Sequence, residues 1–484
     1  MTVPALHPWP WKTALCLCAI SLLVLGRQLD FSGYAHADEP NKVHQITRDK
    51  YNFNHPLLML HSVKLYARAT GIIDDYNAVM RTGRWNSVVF SSLAIGFLVL
   101  LTGRLHGAWI GAAAGALILC TPLFFELAHY FKEDPALIFG LSLSLLAMQF
   151  YGEKPSVVRA AMLGAACGVA VAGKYAGLIV APFAVYAALA NHRARDLWVV
   201  ALSAVAAFAL INLPMITSPD LWKSRVDYEV SRLKATGVPN PRKIPHGDYF
   251  SDFYKHASPL VLLLLAAYLW GGWKRKFRLS PAEWTLLLLP TVYLVILCFI
   301  PTKTERYILP ASVLLACVAA AGLAPLQQLK RGKAAAALIF AMAIAWQAPR
   351  VYAENAAFAS RRHAEVLTHL QTQLPSSASV LVDNYQSLEP SLAPSPVIKQ
   401  RTLQPHETLE SLAAVGFTHI LVTAKRYPVF APNSRRASGL PPEDDAKMRK
   451  LYDDIFGKCR LVFEWKQGKK KQLEPEFHLY ELPQ

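Results

Sequence analysis

The chain has 484 residues, of which 53% are hydrophobic and 17% charged, with a formal net charge of +17. Soluble domains carry about 25% charged residues, so this balance excludes an ordinary soluble protein. The excess cations are spread over short loops and form no concentrated basic face, which argues against nucleic acid as a partner and fits orientation signals in a membrane protein.

From Trp11 to Arg350 the sequence repeats apolar runs long enough to cross a bilayer, separated by short polar loops. The first predicted span is Trp11–Leu29. Ala35-His36-Ala37 has the small-residue pattern of a signal-peptidase site. Arg27 and Asp30 intervene, however, and the apolar core ends too far upstream, so the segment is expected to stay as an anchor. A long polar loop follows, placed at 30–84. Within it Pro56-Leu57-Leu58-Met59-Leu60 opens a stretch that reads as an interfacial helix stopped at Gly71. Spans are then expected at Trp85–Leu101, Ala108–Leu127, Pro135–Tyr151, Val157–Ala172, Tyr175–Ala190 and Leu197–Ile216. A polar loop at 217–256 separates them from Ala257–Trp270, Trp284–Ile300, Tyr307–Leu326 and Ala334–Ala348, for about eleven spans in all.

Loop charge gives the orientation. Arg104, the Lys154/Arg159 loop, Arg193/Arg195, the Lys274–Arg278 run and the Lys330–Lys333 run alternate with loops that hold only Lys132, Lys174, Lys303 and Arg306. The first set is expected to be cytoplasmic by the positive-inside rule. The N-terminus is then cytoplasmic, and residues 351–484 lie outside.

That tail opens with a helical stretch, Tyr352–Leu374. Strand-like runs follow from Ser379, Thr418, Arg460 and Phe477, with helical patterns at Leu403–Val415 and Asp444–Phe456. Alternating short strands and helices predict a small extracytoplasmic α/β domain. It has no GxGxxG, Walker loop, HExxH or GxSxG, and reads as a docking or lid domain. Of the seven cysteines, six lie in apolar spans and Cys459 in the tail, so neither a disulfide framework nor a metal-ligand spacing is expected.

The predicted topology collects the chemistry on one face. Asp38 and Glu39 follow the first span. Glu133 and Asp134 sit in a second outer loop, 127–135. Lys174 occupies a tight outer turn, and Lys303, Arg306 and Tyr307 a further one. Each has a bland alternative: the first acids as solvated loop, Glu133-Asp134 as helix-start acids with Asp134 as N-cap, the cations as interfacial anchors, and His55 as a locally bonded imidazole. Together they suit one reaction class. A carboxylate can deprotonate an acceptor hydroxyl, while cations bind a phosphate leaving group and stabilise its charge. The donor would be a sugar on a lipid phosphate, which arrives through the bilayer and requires no nucleotide-binding loop.

The ordering of these motifs resembles the GT-C glycosyltransferases of the protein O-mannosyltransferase and lipid A aminoarabinose transferase group. The resembling residues are Ala37-Asp38-Glu39 after the first span, Asn54-His55-Pro56-Leu57-Leu58, the run from Lys132 through Glu133-Asp134-Pro135, the run from Ala172 through Lys174-Tyr175, and the run from Lys303 to Pro310. The resemblance implies a GT-C-like membrane domain over 1–350 followed by the α/β domain over 351–484. It also implies inverting transfer from a polyprenyl-phosphate sugar, undecaprenyl or dolichyl, to a hydroxyl on a lipid, glycan or protein. Asp38 maps to the base, with Glu39 beside it. Asp134 with Glu133 maps to the acceptor or metal position, Lys174, Lys303, Arg306 and Tyr307 to the donor phosphate, and Asn54 and His55 to support. No cofactor is required by the sequence; a divalent ion at Asp134 is admissible, although no ligand set demands one. The expected location is a bacterial inner membrane, with the catalytic face and tail periplasmic. The main rival is a transporter or flippase of a lipid-linked or anionic substrate. Transporters place ionisable residues near mid-bilayer, whereas here the charges lie at span ends.

Overall fold

The computed structural model describes residues 7–31, 36, 38–234, 249, 257, 259–274, 276, 279–300, 304–383, 397–423, 426–430, 440–468 and 473–483. Two compact units result: Met1–Leu29 with Lys42–Lys234 and Ile244–Tyr352, and Asp30–Asn41 with Ala235–Lys243 and Ala353–Gln484.

The first unit is helical. It contains α1 (Trp11–Leu25), most of α2 (Asp38–Thr47), α3 (Leu58–Ala69), α4 (Tyr76–His106), α5 (Ala108–Leu119), α6 (Pro122–His129), α7 (Glu133–Glu153) and α8 (Val157–Gly173). A 3-10 turn, Tyr175–Val180, leads to α9 (Ala181–Ala190), α10 (Asp196–Ile211), the one-turn α11 (Leu213–Ile216) and α12 (Pro219–Lys234). Helices Pro259–Lys274, Pro281–Phe299, Leu309–Ala321 and Gly332–Phe358 follow. Among the described residues, five helices are long and apolar enough to cross a membrane, or six if the bent α5–α6 pair is one span. Five shorter apolar helices lie where further spans are predicted. The chain is an integral membrane protein, and its large exposed side chains, such as Leu210, Phe299 and Trp198, fit a lipid-facing surface.

Four sequence expectations need correction. The span expected from Trp85 starts at Tyr76, because Asp75 caps α4 by accepting from the N–H groups of Asn77 and Ala78. Arg84 then lies inside the helix, almost fully buried, and donates to the Leu29 carbonyl at 2.8 Å. The span expected at 108–127 is broken: Cys120-Thr121 interrupts it before Pro122, and its halves meet at 66°. The segment 217–256 is not loop throughout, since α12 fills Pro219–Lys234 with proline at its first position. Asp134 is not an N-cap either. Lys132 takes the extended cap conformation, and Asp134 falls in the first turn of α7.

Charge separates the ends of this unit. At one end Arg104 pairs with Glu153 at 2.8 Å, Arg193 with Asp196 at 2.8 Å, and Tyr151 donates to Asp196 at 2.9 Å. Exposed Trp11, Trp109, Trp198 and Trp273 belong to the same end, as an interfacial aromatic belt would. The first turn of α7 and the last of α8 lie at the opposite end. There the two helices touch backbone to backbone. A Cβ on Gly140 would meet Ala170 Cα at 2.3 Å, and one on Gly173 would meet the Ala136 carbonyl at 2.7 Å. Small residues permit this approach. It sets Lys174, the residue after α8, against Asp134.

The second unit contains a five-stranded sheet of order β2-β1-β3-β5-β4. Its strands are β1 (Ser379–Asp383), β2 (Val397–Arg401), β3 (His419–Thr423), β4 (Arg460–Trp465) and β5 (Phe477–Glu481). β1 is parallel to β2 and β3, and β5 is antiparallel to β3 and β4. Helix Arg362–Gln373 packs Val366 and Leu370 on one face over Val380, Val382, Leu421 and Leu479. Helices Leu409–Ala414 and Pro442–Lys458 cover the other face over Leu381, Ile420 and Val422. β2 is not expected from sequence, because Val397-Ile398-Lys399-Gln400-Arg401 is an edge strand with too little apolar alternation to read.

Candidate active site

The site end of the membrane unit holds two buried ion pairs. Lys42 Nζ lies 2.8 Å from Glu133 Oε1, with both side chains 6% exposed. Lys174 Nζ donates to Asp134 Oδ1 at 2.6 Å. The acids are adjacent at the start of α7, where the N-terminal dipole favours negative charge. Their cations come from different elements, α2 and the break after α8. In that break Lys174 is extended, and the next turn is anchored by Gly177 N–H on the Lys174 carbonyl at 2.8 Å.

Tyr307 links a second cation to this array. Its ring has the Lys174 ammonium 5.5 Å from its centroid and the Arg306 guanidinium 5.8 Å away. Both cations can therefore face one anion while the ring face attracts each of them. Asp134 Oδ2 is buried and has no hydrogen-bond partner among the described residues, and the same holds for Asn54 Oδ1. Burial holds the His55 imidazole down at about 4, with Lys174 and Lys42 pushing the same way and Glu133 and Asp134 opposing them. At neutral pH His55 is thus an uncharged imidazole beside four charges.

Asp38 and Glu39 form the first turn of α2. Asp38 N–H donates to the His36 imidazole at 3.2 Å, and Glu39 is fully buried. Lys42 lies one turn beyond Asp38 on that helix. Lys303 is outside the described residues, as are Ala35 and Ala37. Sequence reasoning missed Lys42, although its i+4 spacing from Asp38 in Asp38-Glu39-Pro40-Asn41-Lys42 is a helical acid–base signature. The donor set is poor for a divalent ion. Lys42 and Lys174 neutralise the two carboxylates, and no three ligating His, Cys, Asp or Glu side chains come together among the described residues.

Buried ion pairs add little net stability, because desolvation offsets their attraction. Here two such pairs lie at the start of α7, beside an Asp134 oxygen that has no hydrogen-bond partner among the described residues.

Residues 54–222 match the family model for dolichyl-phosphate-mannose-protein mannosyltransferase. No curated protein sequence matches the chain. In three dimensions the chain is similar to ArnT from Cupriavidus metallidurans bound to undecaprenyl phosphate, with a TM-score of 0.57 at 14% identity over 96% of this chain and 97% of that one. It is also similar to the oligosaccharyltransferase AglB from Archaeoglobus fulgidus in complex with an inhibitory peptide and a dolichol-phosphate, with a TM-score of 0.56 at 11% identity over 94% and 80% of the two chains. The arabinofuranosyltransferase AftD from Mycobacteria gives a TM-score of 0.51 at 13% identity, over 98% of this chain and 40% of its own. The protein therefore has the fold of the GT-C superfamily of membrane glycosyltransferases. Within that fold, the stretch from Asn54 through Lys174 to Trp222 carries the mannosyltransferase family pattern.

Proposed function

We propose that this protein transfers a sugar from a polyprenyl phosphate to a hydroxyl acceptor at the outer face of a membrane. The observation that carries this reading is the pair of cations, Lys174 and Arg306, held on Tyr307 beside an Asp134 oxygen that has no hydrogen-bond partner among the described residues. The paired cations suit a phosphate, and the open carboxylate oxygen suits a hydroxyl. The similarity to proteins solved with undecaprenyl phosphate and dolichol-phosphate supports the donor class. The acceptor is a lipid, glycan or protein. Loop charge favours an extracytoplasmic site end, and the setting proposed is a bacterial inner membrane with that end periplasmic.

In this mechanism Asp38 removes the proton of the acceptor hydroxyl, with Glu39 beside it in the same helical turn. The acceptor oxygen attacks the anomeric carbon from the face opposite the phosphate. The carbon–oxygen bond to phosphate breaks, configuration inverts, and polyprenyl phosphate leaves with the bonding electrons. Lys174 and Arg306 take up the charge that grows on the leaving phosphate. Asp134 Oδ2 accepts from the acceptor, and neutral His55 with Asn54 borders the donor side. Lys303 belongs to the same phosphate-binding turn by sequence.

Asp38→Asn tests the assignment. Release of polyprenyl phosphate by the purified variant is expected to fall by about a thousandfold, the scale of losing a general base, while the protein inserts and unfolds like wild type. Near-wild-type release would remove Asp38 as the base.

A further inference from the structure

Three separate segments meet at one hydroxyl just outside the phosphate-binding pair. Tyr175, the residue after Lys174, donates its hydroxyl hydrogen to the Phe53 carbonyl at 3.3 Å and accepts from Trp222 Nε1 at 3.0 Å. Phe53 precedes Asn54 and His55. Trp222 lies in the first turn of α12, where its indole also rests against Phe208 of α10 at 6.1 Å between ring centroids.

The same segments are tied together a second time. Leu57 N–H donates to the fully buried Asn212 Oδ1 at 2.7 Å, and His61 Nδ1 meets the Ile211 carbonyl at 2.7 Å. Met215 of α11 packs in the cluster that holds Phe53, Leu57, Leu60 and Val63, and Tyr175 and Trp222 lie against it. Lys174 is the one extended residue between α8 and the 3-10 turn, with its N–H on the Ala170 carbonyl at 3.3 Å and its carbonyl accepting from Gly177 N–H at 2.8 Å. Those bonds hold the backbone at Lys174 locally, and the Tyr175 hydroxyl ties the turn to the Phe53 segment.

We propose that Tyr175 is a positioning residue for the donor phosphate, and that α12 acts on the site through Trp222. The inference rests on the reading of Lys174 as a phosphate ligand. The Tyr175 hydroxyl fixes the Lys174 turn against the Phe53–Leu57 segment, and the indole N–H of Trp222 orients that hydroxyl so that its proton points at the Phe53 carbonyl. Tyr175 touches no reacting atom. Its effect is on where the Lys174 ammonium sits when the phosphate arrives, and it belongs in donor affinity rather than in the bond-breaking step. The helix at the start of the 217–256 segment thereby becomes part of the donor site, although none of its side chains needs to reach the sugar.

The test uses the full chain in detergent, with Tyr175→Phe, Trp222→Phe and the double variant. Each keeps an aromatic ring in the apolar cluster; Tyr175→Phe removes only the hydroxyl, whereas Trp222→Phe removes the N–H together with part of the indole ring. Tyr175→Phe is expected to raise the Kd for polyprenyl phosphate and the KM for its sugar conjugate by about tenfold with kcat little changed. Trp222→Phe should raise them by about threefold, and the double variant should resemble Tyr175→Phe alone, because both act through one junction. Unchanged Kd and KM in folded Tyr175→Phe overturn the proposal. So does a lower melting temperature with unchanged Kd, which would make the hydroxyl a support of the fold only. If Tyr175→Phe does not fold, Trp222→Phe decides by the same measure. A wild-type protein that binds polyprenyl phosphate but transfers no sugar would defeat the glycosyltransferase reading, while the Kd comparison would still decide the role of Tyr175.

Discussion

Each unit of this protein buries an aspartate, and the two are treated differently. In the sheet unit, Asp383 at the end of β1 is fully buried. Its Oδ1 accepts from Leu403 N–H at 3.2 Å, with Arg426 Nε 3.5 Å away, and its Oδ2 accepts from the Tyr452 hydroxyl. In the membrane unit, Asp134 is nearly as buried, yet only its Oδ1 is taken, by Lys174, and Oδ2 has no partner among the described residues. A carboxylate with both oxygens engaged ties a strand end to a loop and a helix. A carboxylate with one oxygen left buried and unmatched carries a desolvation cost that folding does not recover. That difference supports the proposal that Asp134, unlike Asp383, is arranged for a ligand.

The comparison can be broken in three ways. The largest effect is expected at Lys174. Lys174→Gln should lower transfer at sub-saturating donor by about a hundredfold, because it removes a proposed phosphate ligand and leaves Asp134 without its charge partner. Polyprenyl phosphate binding measured beside turnover checks whether the loss lies in affinity. Next, Asp383→Asn and Asp134→Asn should separate stability from activity. The Asp383 variant is expected to lose about 2 kcal/mol of stability, because an amide cannot accept from both Leu403 and Tyr452 and also balance Arg426. The Asp134 variant leaves the Lys174 ammonium without its charge partner and should also lose stability, but unlike the Asp383 variant it should lose most of its transfer in the protein that stays folded. Equal transfer by the two folded variants would erase the difference between these acids.

The smallest effect is a pH dependence at His55. Its folded pKa of about 4 lies below the ordinary histidine value. Between those two values the unfolded chain binds the extra proton, so stability rises with pH across that window and is reduced below it. Thermal unfolding of wild type and His55→Gln between pH 4 and 7 should show a shallower rise in the variant, by about 1–2 kcal/mol after allowance for solvent screening. Identical slopes would mean that His55 is not held neutral.

Much of the membrane unit was legible because each span is a long apolar run bounded by cations, and hydropathy reads such runs directly. The breaks were less legible. Thr121-Pro122 signals the bend between α5 and α6, but uninterrupted apolar residues on both sides mask it. α12 escaped because Pro219–Lys234 is polar and opens on proline, which reads as loop unless the preceding serine is taken as a start signal. In the tail, β1 and β3 were visible as apolar runs. β2 was not, since an edge strand carries Lys399 and Arg401 without breaking the ladder.

The sequence by itself determined that this chain lies in a membrane, because span length is a local property of the chain, and its loop charge set the expectation that the acids and cations gather toward one face. Which cation meets which acid was decided only by the tertiary structure. Lys42 on Glu133, Lys174 on Asp134 and Tyr175 on Trp222 join residues 40 or more positions apart, apart from neighbouring turns. The Lys174–Asp134 contact follows from α7 and α8 packing at Gly140 and Gly173, where the missing side chains let two backbones touch, while Lys42 and Trp222 arrive on α2 and α12, and no pattern along a single helix records what its neighbour will present.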